Sequence, residues 1–129
     1  MTTSTSLVTG VDFVSIPATN LRAQMDFYEN VLGLEPGITW GQENPMGAEY
    51  ETSTVTLALI DVARIGIEFG PTTVPIAFQV DDVPAAKDQL EARGVEFMGD
   101  LIDSGVCHQA FFRDPEGNAL GLHHRYKPR

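Results

Sequence analysis

The sequence repeats itself at a spacing of about 62 residues, and this repeat constrains the fold more than any other feature. Phe13 falls opposite Pro75 at a separation of 62, and Gly33 opposite Gly94 at 61. The stretch Leu32-Gly33-Leu34-Glu35 is answered by Arg93-Gly94-Val95-Glu96. Each copy opens on a β-rich run, residues 11–16 in the first, where Pro17 ends it, and 76–80 in the second. A capping residue follows, Asn20 or Asp82. Then comes an apolar stripe at helical spacing: Leu21, Met25, Tyr28 and Leu32 in the first copy, Val83, Ala86 and Leu90 in the second. Pro84 suits the first turn of the second helix, and Gly33 and Gly94 sit where a left-handed C-cap favours glycine. Strand candidates complete each copy, at 38–41, 48–51 and 55–60, then at 95–98, 107–113 and 119–123. Residues 61–73 read as a linker, in which 65–69 alternates like a short strand until Gly70-Pro71 stops it. Asp114-Pro115-Glu116-Gly117-Asn118 is turn chemistry.

One copy alone leaves a sheet face without a partner. The expected fold is therefore α+β, with two tandem β-α-β-β-β modules at about 10–60 and 74–124 in a single domain spanning 1–129. They form a curved mixed sheet around a cleft, with the helices on the outer face. Residues 1–9 read as a flexible Ser/Thr-rich leader without the basic and apolar regions of a signal peptide.

Charge narrows the partners. The chain has 18 acidic and 8 basic residues, a formal net charge of −10, and only 5 of those basic residues precede residue 125. So acidic a body lacks the clustered Lys and Arg that phosphate backbones and anionic membrane surfaces require. No apolar run approaches the roughly 20 residues of a membrane helix. The single cysteine, Cys107, excludes an internal disulfide framework and a multi-cysteine zinc site. A small-molecule ligand, a homodimer and a cytoplasmic setting are the expectations, with no nucleic acid and no membrane.

Three blocks point to a family: residues 27–34 (Phe-Tyr-Glu-Asn-Val-Leu-Gly-Leu), 78–83 (Phe-Gln-Val-Asp-Asp-Val) and 112–118 (Phe-Arg-Asp-Pro-Glu-Gly-Asn). With the paired modules, they make the chain resemble the vicinal oxygen chelate superfamily. It includes glyoxalase I, bleomycin-resistance proteins, fosfomycin-resistance enzymes and extradiol dioxygenases. The resemblance implies a divalent metal in the cleft of the enzymes, held by side chains on the first and last strand of each module. The matching positions are Phe13, Ala58, Pro75 and Gly121, and none offers a side-chain donor. A rival register makes 65–69 the last strand of the first module and puts Glu68 in the ligand slot. The expectation is that the usual metal site is absent and that no cofactor is used.

The leading function is then a metal-independent small-molecule binding protein of the bleomycin-resistance type, holding an aromatic or cationic ligand. Strand alternation puts Phe13 and Ser15 on the cleft side of the first strand. Trp40 stands beside a Gly/Asn/Pro-rich loop that has the composition of a lid. The family's strand register adds Cys107, Gln109 and Phe111 to the cleft, and turns His108, Ala110 and Phe112 to the helices. Ala58, Gln79, Gly121 and His123 complete the candidate ligand site. Glu43, Glu49, Glu51 and Glu68 are candidate rim carboxylates, and Glu49 and Glu51 share one strand face. The alternative is a glyoxalase-like lyase, isomerase or dioxygenase with a metal on an unusual set such as Glu68, His108 and His123. A cofactor-free isomerase with His123 or Glu68 as base is a further one. The family commonly pairs modules across subunits, and side-by-side and swapped dimers are both open.

Overall fold

The tandem modules are present as two four-stranded mixed sheets in a computed structural model that describes residues 6–41 and 43–129. Residues 1–5 of the expected leader, and Gln42 in the loop after Trp40, lie outside the described residues. The first module contains β1 (Phe13–Ala18), α1 (Leu21–Asp26), β2 (Thr39–Trp40), β3 (Gly47–Glu51) and β4 (Thr56–Asp61). The second contains β5 (Ile76–Gln79), α2 (Val83–Ala92), β6 (Ile102–Asp103), β7 (Cys107–Arg113) and β8 (Ala119–Arg125). The sheet orders are β1-β4-β3-β2 and β5-β8-β7-β6, each with one parallel pair, β1 with β4 and β5 with β8. No helix among the described residues is long and apolar enough to cross a membrane.

Alternation along the strands decides the packing. Ile16, Leu57, Leu59, Ala48 and Tyr50 point to one side of the first sheet, and Ala110, Phe112, Leu120 and Leu122 to one side of the second. These residues form one core with Leu21, Tyr28, Val83 and Leu90 of the helical segments. Each fully buried aliphatic side chain contributes about 1.5–3 kcal/mol. The helix-bearing faces of the two sheets therefore look toward each other, and their other faces point away from each other. The expected continuous sheet is divided within the chain, because β1 pairs only with β4 and β5 only with β8. The helices cover the sides opposite Phe13 and Gln79, as expected.

Four local expectations change. The first strand continues through Pro17 to Ala18, since an edge strand tolerates proline on its unpaired side. The first helix is α-helical only to Asp26, and Phe27–Val31 forms a π-helical turn closed by the Leu32 amide on the Phe27 carbonyl at 3.0 Å. Residues 65–69 are not a strand: a 3-10 turn, Val62–Ile65, occupies the start of the linker. Residues 95–98 contribute only an isolated bridge from Phe97 to Phe112, and the edge strand is Ile102–Asp103.

The turn between β7 and β8 ties the modules together. Asp114 is buried, and its Oδ2 accepts from Gln24 Nε2 and Tyr28 Oη, both at 2.7 Å, and from Asn118 Nδ2 at 2.9 Å. Its Oδ1 accepts from the backbone amides of Glu116 at 2.9 Å and Asn118 at 3.0 Å. Asn118 Nδ2 also donates to the Pro17 carbonyl, and the Glu116 carboxylate receives the amides of Thr19 and Asn20 and the Thr19 hydroxyl. Just past the end of α2, Arg93 donates to the Val31 carbonyl at 2.6 Å.

Burial, then the Asp114 charge, pushes the Tyr28 phenol far above its ordinary value. Burial and the hydrogen bond to Glu29 push Tyr50 up as well. In the unfolded chain both phenols ionise near pH 10. Above that pH the unfolded state binds fewer protons than the folded one, so stability falls as pH rises. Urea midpoints measured upward from about pH 9 are expected to drop, and Tyr28→Phe is expected to flatten the decline. A pH-independent midpoint would contradict the assignment.

Candidate functional site

The outward face of each sheet is built by the residues that alternate with the core. On the first sheet these are Phe13 and Ser15 of β1, Thr56 and Ala58 of β4, Gly47, Glu49 and Glu51 of β3, and Trp40 of β2. Ser15 stands opposite Ala58, Ala58 opposite Glu49, and Trp40 opposite Gly47. Phe13 is 59% exposed, an unusual state for a phenylalanine on a strand. The Trp40 ring lies over Gly47 so closely that a Cβ there would collide with it. Its indole Nε1 is buried without an acceptor. Trp40 is thus fixed in the sheet face, not carried on a lid. Tyr50 packs in the core, as its place one residue from Glu49 requires.

On the second sheet the outward residues are Ala77 and Gln79 of β5, Cys107, Gln109, Phe111 and Arg113 of β7, and Ala119, Gly121, His123 and Arg125 of β8. Gln79 and Gln109 flank His123, and Ala77 and Phe111 flank Gly121. The Phe111 ring occupies the space that a side chain at Gly121 would need. His108, Ala110 and Phe112 face the helices, as the register predicts.

The candidate ligand residues therefore fall into two sets. Phe13, Ser15, Trp40 and Ala58 share one face; Gln79, Gln109, Phe111, Gly121 and His123 share the other. A single chain does not bring the sets together, because the two faces point away from each other. A groove of about 830 Å³ wraps the open edge of β5, with Val14, Leu57, Ile76, Phe78 and Leu122 in its wall from the helix-bearing side and Gln79 and His123 from the outward side.

The proposed acid–base residues are also separated. Glu68 is exposed in the linker, outside any strand, which removes the rival register. His108 lies on the helix side, with Nε2 3.3 Å from Asp103 Oδ2 and its ring 4.8 Å from that of Tyr126. Tyr126 donates to Asp103 at 2.7 Å; that bond, then the Gly105 amide, holds the Asp103 carboxyl below its usual range. His123 alone is on a cleft face. Among the described residues, no group of three or more His, Cys, Asp or Glu side chains is arranged to hold a metal. A divalent metal does not fit Phe13, Ala58, Pro75 and Gly121, which present no donor atoms.

Sequence reading missed Gln24 and Asp114 as partners, because they lie 90 residues apart and a buried amide breaks the apolar stripe. It also missed Arg113 and Arg125 on the second outer face, although counting by two from Phe111 and His123 reaches both.

The model of the Glyoxalase/Bleomycin resistance protein/Dioxygenase superfamily matches residues 10–122. The chain belongs to that superfamily. Among solved structures, it is similar to TnmS3, an antibiotic binding protein from Streptomyces sp. CB03234, at 23% identity, covering 93% of this chain and 98% of that one with a TM-score of 0.76. It is also similar to a lactoylglutathione lyase from Agrobacterium tumefaciens, at 19% identity, 92% and 95% coverage and a TM-score of 0.73. A superfamily member from Nocardioides gives 22% identity, 97% and 92% coverage and a TM-score of 0.74. At these identities the likeness establishes the fold. A search of curated proteins found no match.

Proposed function

We propose that the chain is a metal-independent small-molecule binding protein of the bleomycin-resistance type, holding an aromatic or cationic ligand in a cleft shared by two copies. The observation that carries this reading is the pair of outward faces, one bearing Phe13 and Trp40, the other Phe111, which a single chain leaves apart. Their strand edges support the pairing. β1 and β5 each have one open side, and an unpaired edge is a template for another strand. A twofold dimer that sets β1 of each copy along β5 of the other closes both edges at once and joins the faces. The groove beside β5, with apolar walls from Val14, Leu57, Ile76 and Phe78 and a polar rim that includes Gln79 and His123, then seats the partner, which favours the swapped dimer over the side-by-side one.

In that cleft the rings of Phe13, Trp40 and Phe111 offer stacking surfaces. Gln79, Gln109 and Ser15 orient polar groups of the ligand. Glu49 and Glu51 lie on the first face and attract a cation. The similarity to an antibiotic binding protein supports the same class of role. A cytoplasmic setting agrees with a lone buried thiol.

Trp40 is the sole tryptophan, so its fluorescence reports on the site directly. Proflavine, a flat aromatic cation, is expected to quench it saturably and to raise the melting temperature. Phe111→Ala is expected to weaken that binding by roughly 10-fold or more, as loss of a central aromatic anchor does. Absence of saturable quenching, together with no thermal shift from a panel of aromatic cations, would overturn the proposal.

A further inference from the structure

The second outward face carries a smaller cavity of about 260 Å³ between the linker and β7, and the cleft residues above do not explain it. Its apolar walls include Pro71, Pro75, Met98 and Phe111, and its polar lining includes Thr72 and Arg113. No aspartate or glutamate lines it, although the chain has 18 acidic residues. The Thr72 hydroxyl oxygen is buried and has no hydrogen-bond partner. Its position is nevertheless set, because the Thr72 amide donates to Asn118 Oδ1 at 2.9 Å and its carbonyl accepts from the Ala119 amide at 3.0 Å. Arg113 is exposed, and its side chain makes no hydrogen bond or ion pair with the described residues.

A buried hydroxyl without a partner is destabilising unless something supplies one. A guanidinium presents a fork of donors matched to a carboxylate or similar oxyanion. We infer that this cavity is a subsite for an aromatic carboxylate, its oxyanion held by Thr72 Oγ1 and Arg113 and its ring by Phe111, Met98 and the two prolines. The inference goes beyond the shared cleft, because every residue of the cavity belongs to one chain. In the assembled cleft it assigns the ligand a polarity, with an oxyanion at the linker end and its aromatic or cationic part toward Trp40 and Glu49.

The test uses benzoate, benzamide and benzamidine, which share a shape and differ in charge. Amide chemical shifts of ¹⁵N-labelled full-length protein are followed during each titration. Benzoate is expected to move the amides of Thr72, Gly117 and Ala119; benzamide is expected to bind about 10-fold more weakly and benzamidine not at these residues. Arg113→Gln is expected to cost benzoate about 10-fold or more in affinity. Thr72→Val keeps the shape and removes the donor. It is expected to weaken benzoate several-fold while leaving the melting temperature unchanged or higher, which a purely structural hydroxyl would not do. Benzamidine binding as well as benzoate, unchanged benzoate affinity in Arg113→Gln, or no shifts with benzoate would each overturn the subsite. Since none of these readouts needs a dimer, failure here is distinguishable from failure of the shared cleft.

Discussion

Asp114→Ala is expected to lower the stability of the protein by about 3–5 kcal/mol, because it strands several buried donors that cost about 1–3 kcal/mol each when left without an acceptor. That is a large share of the 5–15 kcal/mol that holds a domain of this size together. The reason is the number of groups left behind. Gln24 Nε2, Tyr28 Oη, Asn118 Nδ2 and two backbone amides all donate to this one carboxylate, and all are in or beside the core. Alanine satisfies none of them, and each stranded donor retains its desolvation cost. Asp114→Asn keeps the shape but replaces one acceptor oxygen by an NH₂ group. It is expected to fall between wild type and alanine. Glu116→Gln is expected to cost only about 1 kcal/mol, because its contacts with Thr19 and Asn20 are exposed and an amide oxygen still accepts. Urea denaturation gives all three values. A loss below about 1 kcal/mol for alanine, the value for a single ordinary hydrogen bond, would mean that the turn does not join the modules.

The second large effect is expected at Phe13. In the proposed dimer this ring, 59% exposed on a lone chain, is covered at the centre of the cleft. Phe13→Asp replaces an aromatic anchor with a charge. Central aromatic residues contribute about 2–4 kcal/mol to an interface, which weakens association roughly 30- to 1,000-fold. The fold of each chain should persist, since Phe13 is not part of the core. Sedimentation equilibrium against protein concentration measures the dissociation constant, and far-ultraviolet circular dichroism checks the fold. A variant that dimerises as tightly as wild type would place Phe13 outside the interface.

Much of the architecture could be read from the residues, and the reasons are physical. Strand alternation is strict, so Gln109 and Phe111 share one face and His108 and Ala110 the other, and the family resemblance implied which of the two faces the helices. The caps at Asn20 and Asp82 hold the amides of Ala23 and Ala85, as their side chains predict. Gly33 and Gly94 adopt positive φ angles of 80° and 93° at the two helix ends. What escaped depends on contacts distant in sequence. The burial of Gln24 makes sense only with Asp114 beside it. The π-helical turn lets Phe27 and Tyr28 both be buried, which a regular 3.6-residue stripe does not foresee. The choice between the side-by-side and swapped arrangements stayed open for the same reason. Local pattern says which side of a strand a residue occupies, and says nothing about which other sheet that side meets.

A shared cleft is tested most directly by sedimentation velocity of the wild-type chain with proflavine, followed at the absorbance of the dye. The expected result is dye travelling with a particle of two chains. Dye travelling with a single-chain particle, or failing to travel with the protein at all, would contradict it.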